Sequence, residues 1–392
     1  MKCIERDISS PFIELLSKFP LVFMTGLRQS GKTSILKNLL AENYEYVNLE
    51  EDHACDFARN DPKGFINTFK KCAIIDDFHK APALIPYIKN KIDEKGTNGL
   101  YVLAGSLDSS LKKEISKLLS GRAVKLTVLP FSIPELKRAG KAPDTINEWM
   151  FGGSYPELLL SGIDQNEFFN GYIANFMEHE IRKEAKIHGK NKFVRFLAIV
   201  AENSGVPLNL SRLGEETSID ARTVSSWISI LEESHILFKL APYRGLGKRY
   251  TKTPKLYFHD TGFLCFLLGL KNSEEINFHK MRNQIFETAV ISEIRKKHFN
   301  AGYRPRIFYW RDLDNSEKEI DLIEESNNRL KLTEIKLSET ANGEFTKNLA
   351  DFPALLDTLN LRRIISKQVI YTGNENTAFG NIPYLNWKFL DE

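Results

Sequence analysis

One short segment limits what this chain can become: Gly26-Leu-Arg-Gln-Ser-Gly31-Lys32-Thr33, set between the β-type run Leu21–Thr25 and the helical segment Ser34–Leu40. The pattern GxxxxGK[ST] needs that setting. It works only where a strand delivers a loop whose backbone N–H groups, together with a helix N-terminus, converge on an anion. The glycines let the loop fold around a phosphate. Lys32 is expected to reach the β- and γ-phosphates of a nucleotide, and the Thr33 hydroxyl to ligate Mg²⁺. The expected nucleotide-contacting residues are Gly26, Leu27, Arg28, Gln29, Ser30, Gly31, Lys32, Thr33 and Ser34.

Such a loop also needs a carboxylate at the end of a neighbouring strand. Cys72-Ala-Ile-Ile-Asp76-Asp77 offers two: Asp76 as the outer-shell partner of Mg²⁺, and Asp77 as the carboxylate that polarises the attacking water. Ser106, after the run Leu100–Ala104, is placed to hydrogen-bond that water or the γ-phosphate. Arg122, before the run Val124–Val128, would act as an arginine finger on a neighbouring subunit of a homo-oligomer. The alternation of the runs Leu21–Thr25, Glu45–Leu49, Cys72–Ile75 and Leu100–Ala104 with helical segments predicts a parallel α/β sheet.

The segments GLRQSGKTS, IIDDFHKAPAL, LAGS, LSGRAV, LPFSIPEL and FGGSYPELL, in this order, resemble the prokaryotic AAA-type ATPases that carry a C-terminal domain of unknown function. The resemblance covers nearly the whole chain. It implies a P-loop AAA-type ATPase that binds ATP with Mg²⁺, and it supports a nuclease-like fold for the C-terminal domain. Asp77 stands where that family usually has glutamate.

Further along, Lys192–Asn203, Leu210–Glu216 and Ala221–Ser234 read as three helices, the third capped by Asp220. The runs Ile236–Leu240 and Lys255–Phe258 read as a hairpin. Three helices and a hairpin predict a winged helix whose third helix enters the DNA major groove. Arg222 lies near that helix's start. Arg244, Lys248, Arg249 and Lys252 crowd the hairpin, where six basic residues and no acidic one fall between Lys239 and Lys255. DNA is the expected partner.

In the last third, Glu319–Ile323 and Leu330–Leu337 should pair as a hairpin. Glu334 and Lys336, two apart, then share a face that Asp321 can reach. With Glu287 on a preceding helix, Gln284–Lys297, this is the D…ExK arrangement of the restriction-endonuclease-like fold, in the order helix, three strands, helix, strand. Glu287, Asp321 and Glu334 would hold Mg²⁺, and Lys336 would orient water or stabilise charge. The same set serves cleavage or binding.

The expected organisation is therefore a P-loop AAA-type ATPase domain over 1–160, a mostly helical winged-helix region over 161–271, and a restriction-endonuclease-like α/β domain over 272–392. Composition agrees with this and excludes other classes. The 54 basic and 51 acidic residues of the 392 rule out a polycation, yet Lys190–Lys255 holds eleven basic and six acidic side chains. The longest apolar run, Phe263–Leu268, is far short of the ~20 residues of a membrane span. The acidic N-terminus lacks a secretory pattern, and Cys3, Cys55, Cys72 and Cys265 form no metal-ligand pair. His259-Asp260 reads as a turn cap. The overall expectation is a cytoplasmic ATPase that hydrolyses ATP to control DNA engagement by the other two modules. The alternative is a non-cleaving, ATP-dependent switch that binds a protein or DNA partner.

Overall fold

Five strands, β1 (Leu21–Gly26), β2 (Tyr44–Asn48), β3 (Cys72–Asp76), β4 (Tyr101–Ala104) and β5 (Ala123–Val128), form a wholly parallel sheet in the order β2-β3-β4-β1-β5. The computed structural model describes residues 4–106, 109–118, 120–177, 190–245, 251–313, 315, 318–357 and 363–390. A parallel sheet is covered by helices on both faces, so its strands read as continuous apolar runs. In β1, Leu21 and Phe23 point to a core with Phe65, Ile66, Ile85 and Ile88. Val22 and Met24 point to the opposite core with Ile8, Phe12 and Leu36. The insertion of β4 between β1 and β3 sets the ends of three strands side by side. Those ends carry the phosphate loop, Ser106 and Asp76.

The middle of the chain forms the helices Lys190–Glu202, Leu210–Thr217 and Ala221–Glu233, then an antiparallel pair, β6 (Leu237–Leu240) and β7 (Lys255–Phe258). Trp227 of the third helix packs edge-on against Phe193 and Phe196 of the first, at 5.1 Å from each. The Asp220 carboxylate caps the third helix by accepting from the Arg222 and Thr223 N–H groups, both at 3.0 Å.

A six-stranded sheet in the order β12-β13-β11-β10-β9-β8 closes the chain, built from β8 (Ile307–Arg311), β9 (Glu319–Ser326), β10 (Arg329–Lys336), β11 (Ile364–Tyr371), β12 (Thr377–Phe379) and β13 (Ile382–Asn386). Helix Arg282–Asn300 precedes it and helix Lys347–Asp357 falls between β10 and β11. The expected order of helix, three strands, helix, strand is present, and two further strands follow it.

Beside the cores of the two sheets, the modules share a further one. One apolar cluster joins Leu27, Ile133 and Trp149 to Trp227 and Phe258 of the middle and to Ile285, Ile335 and Trp387 of the last third. Within it the Trp149 and Trp387 rings stack at 4.9 Å. Hairpin and sheet are also laced together, since Tyr243 N–H donates to Tyr309 O (2.7 Å) and Thr251 N–H to Arg311 O (3.2 Å). No described helix is long and apolar enough to cross a membrane.

A buried polar knot seals the junction. Glu293 accepts from Ile133 N–H (2.6 Å). Lys296 donates to Phe131 O (2.9 Å), Ser154 Oγ (2.8 Å) and Glu293 (3.3 Å). Ser154 in turn donates through N–H (2.7 Å) and Oγ (3.1 Å) to Asp260, which also caps helix Thr261–Leu267. Replacing Lys296 by Met strands Glu293 without its cation and should cost about 3–5 kcal/mol. The loss would be read as a lowered Tm, largely restored by Glu293→Gln in the same chain.

Candidate functional site

The phosphate loop begins at the end of β1, where space alone dictates the first residue. A Cβ at Gly26 would lie 1.9 Å from the Val128 carbonyl of β5, and its φ of 142° is open to glycine only. Gln29 (φ 61°) and Gly31 (φ 92°) turn the loop into helix Lys32–Leu40. Leu27 and Ser30 are buried as the loop's root, while Thr33 and Ser34 face outward at the helix start. Arg28 approaches Glu50 at 3.8 Å. The Lys32 ammonium lies over the loop and donates to the carbonyls of Leu27 (2.8 Å) and Gly26 (3.3 Å).

At the end of β3, Asp76 is 4% exposed and accepts from the Thr33 hydroxyl at 2.7 Å and the Tyr46 hydroxyl at 3.0 Å. A hydroxyl and a carboxylate brought together in this way form a hard oxygen donor pair, which suits Mg²⁺. Asp77 follows in the left-handed region (φ 52°), uncommon for a non-glycine residue and concentrated at functional sites. Its N–H donates to Asp76 Oδ1 at 3.0 Å. Burial, then the neighbouring Asp76 and Glu50 carboxylates, raise the Asp77 pKa to about 6 against the opposing charges of Lys80 and Lys32. Ser106 sits two residues beyond β4, after Gly105 (φ 147°), which closes against His79.

Two residues essential to this geometry escaped sequence reasoning. Arg6 is 5% exposed and lies beneath the loop, donating to Ser30 O (2.9 Å), Leu129 O (2.7 Å) and Glu135 (2.9 Å). Glu135 is fully buried and also accepts from the Asp7 and Ser132 N–H groups, both at 2.8 Å. The capping box Ser132-Ile-Pro-Glu135 is legible in the sequence. Its pairing with an arginine 129 residues away is not.

Arg122 lies at the other end of the sheet. Its carbonyl accepts from Leu21 N–H where β1 begins, about 20 Å along the strand from the loop. Its guanidinium pairs with Asp93 at 2.5 and 3.3 Å. Within one subunit it therefore faces away from the nucleotide.

In the last third, Glu334 and Lys336 share a face of β10 and touch at 2.6 Å, and Lys336 reaches Asp321 at 3.4 Å. Asp321 also accepts from Ile335 N–H at 2.8 Å. Burial and then Asp321 hold the Glu334 carboxyl well above its ordinary range, against Lys336, and its Oε1 has no hydrogen-bond partner. Glu287 does not complete the set. It accepts from the Tyr257 hydroxyl (2.5 Å) and from Lys255 (3.3 Å), and Lys255 also binds Glu319. Among the described residues no three His, Cys, Asp or Glu side chains are arranged to hold a metal ion. Of the expected Mg²⁺ ligands, Asp321 and Glu334 adjoin and share Lys336, while Glu287 is paired with Lys255.

Lys255 thus leaves the basic hairpin for the interior, with 4% exposure, and Lys239 pairs with Glu232 at 2.6 Å. Arg222, Arg244 and Lys252 are exposed, while Lys248 and Arg249 lie outside the described residues.

Comparison with known proteins follows the same divisions. Residues 18–137 match the family described as AAA domain, 143–274 a domain of unknown function (DUF8612) and 282–390 another (DUF4143). With its loop and strand order, the N-terminal part has the fold of a P-loop AAA-type ATPase domain, which supports ATP binding. Uncharacterized proteins of Mycobacterium tuberculosis and Haemophilus influenzae are 24% and 23% identical to the chain, over 86% and 93% of it and 74% and 93% of their own lengths. The Walker-type ATPase of Pyrococcus abyssi aligns with a TM-score of 0.47 and 15% identity, over 68% of this chain and 96% of that one.

Arg6→Met should weaken ATP binding about tenfold, although Arg6 is expected to touch no nucleotide, because the Ser30 carbonyl loses its anchor and Glu135 its cation. Titration calorimetry checks this. Unchanged affinity would show that the loop holds its shape without the clamp.

Proposed function

We propose that the chain is an ATPase that hydrolyses Mg-ATP. The observation that carries this reading is the 2.7 Å contact between Thr33 and Asp76, with Lys32 on one side and Asp77 on the other. Mg²⁺ bound with the nucleotide would neutralise charge on the β- and γ-phosphates, held by the Thr33 hydroxyl with Asp76 behind it. The loop N–H groups from Leu27 to Thr33 orient the phosphates, and Lys32 moves from the loop carbonyls to the β/γ bridge. Asp77 accepts the proton of the attacking water, and Ser106 positions that water or the γ-phosphate. Arg122 joins this set only from a second subunit, whose approach would have to exchange Asp93 for phosphate.

The other modules supply the action that hydrolysis controls. Three helices and a hairpin support a winged-helix reading, in which Arg222, Arg244, Lys248, Arg249 and Lys252 would be the contacts to DNA phosphates. The helix-strand order of the last third supports a nuclease-like fold. A specific observation favours a non-cleaving role for it: Lys255, which is not among the expected site residues, pairs with both Glu287 and Glu319. The second reading is accordingly a nucleotide-driven switch that grips its partner without cutting it.

Lys32→Ala should weaken ATP binding about 100-fold, the loss of roughly 3 kcal/mol of charged contact. Asp77→Asn should keep ATP affinity and slow hydrolysis about 100-fold or more. Phosphate-release assays beside equilibrium binding separate the two. Full hydrolysis by the Asp77→Asn chain would remove Asp77 from the mechanism.

A further inference from the structure

A cleft of about 930 Å³ opens where the three modules meet. One wall is Lys125 and Thr127 of β5, the free edge of the ATPase sheet. The others are the end of helix Ala221–Glu233 with β6, and the last turns of helix Arg282–Asn300 with the approach to β8. Lys125, Lys239, Arg295, Arg304 and Arg306 line it, against the single carboxylate Glu232. Lys239 is matched by Glu232 and Arg306 by Glu325, each at 2.6 Å. Arg295 and Arg304 form no ion pair among the described residues.

Arg295 is held as a receptor group would be. Its Nε donates to His259 Nε2 at 3.0 Å, and its guanidinium lies 4.3 Å from the Phe238 ring centre and 5.1 Å from that of Phe299. Burial, then the Arg295 and His235 charges, keep His259 far below its usual pKa, so its ring stays a neutral acceptor. The rings and the histidine fix the plane of Arg295 through Nε and the guanidinium carbon, and among the described residues no acceptor takes its two terminal nitrogens. Burial and the facing Arg304 lower the Arg295 pKa to about 10. Two like charges whose nearby carboxylate, Glu232, is already paired with Lys239 are a standing cost, which an anion between them would remove.

The geometry points to a second binding site: the cleft takes a nucleotide unit, Arg295 and Arg304 clasping its phosphate while the half-buried rings of Phe299 and Phe308 face its base. Guanidinium forks match phosphate oxygens two at a time. A cavity of this size exceeds a lone phosphate and suits a ligand of nucleotide size or larger. Aromatic faces accept any base. The unit can come from a free mononucleotide or from a single strand crossing the cleft. The site is distinct from the proposed DNA surface, because Arg222 begins the helix whose last turn, some 15 Å away, borders the cleft. It holds whether or not that surface binds DNA.

The test uses the full chain carrying Lys32→Ala, so that the phosphate loop cannot supply the binding. Two probes are titrated: a fluorescein-labelled oligothymidylate of about a dozen nucleotides, by anisotropy, and AMP, by calorimetry. At least one should bind, and should bind about tenfold or more weakly after Arg304→Glu or Arg295→Gln, with the salt slope reduced by about one per cation removed. Binding of the oligonucleotide alone identifies a strand as the source, and binding of AMP a free nucleotide. Arg304 is exposed, so Arg304→Glu decides the matter alone if Arg295→Gln fails to fold. The proposal is overturned if neither probe binds. It is equally overturned if binding ignores both cleft changes and is lost instead on Arg222→Ala with Lys252→Ala, which would leave the winged-helix reading standing.

Discussion

The Arg6 guanidinium is the contact on which the rest depends. Buried under the phosphate loop, it ties Ser30 O, Leu129 O and the Glu135 carboxylate into one rigid base. A buried charge is tolerable only when its hydrogen-bonding valences are filled, and then it rigidifies what it touches. Glu135 belongs to the short helix whose first N–H, that of Ile133, is taken by Glu293 of helix Arg282–Asn300. Residues 131–135 are thus gripped from one side by the nucleotide loop and from the other by the last module. Lys296, reaching Phe131 O and Ser154, completes the second grip.

This arrangement gives the two carboxylate sites opposite characters. At the phosphate loop, Asp76 and Asp77 lie at the open end of a parallel sheet, with a hydroxyl and a mobile lysine as neighbours. In the last third, similar residue types meet inside a closed seam. There the middle module donates Lys255 and Tyr257 to Glu287, and Lys336 bridges Asp321 and Glu334. The difference lies in what packs against each strand end rather than in the motif.

Local signals were therefore the legible ones. The phosphate loop, the acidic strand end, the Asp220 cap and the β9–β10 hairpin all follow from short-range period and capping chemistry, and their bounds agree with the structure to within a residue or two at most ends. What the sequence hid is long-range pairing. Nothing local tells that Lys255, in a run of exposed-looking cations, turns inward to Glu287 and Glu319. Nor does it tell that Arg6 meets Glu135, or that Arg295 faces Arg304 across a cleft. The summed charge concealed this as well, since in the basic stretch Lys190–Lys255 the cations Arg212, Lys239 and Lys255 are taken up in pairs within the chain.

Through this shared base, nucleotide binding at the loop should be felt by the whole chain. Scanning calorimetry with and without saturating Mg-ATP tests it most directly, because a ligand that binds only the folded form stabilises the cooperative unit that contains its site. The account predicts one dominant transition that moves upward as a whole. Two transitions, with only one moving on addition of nucleotide, would contradict it.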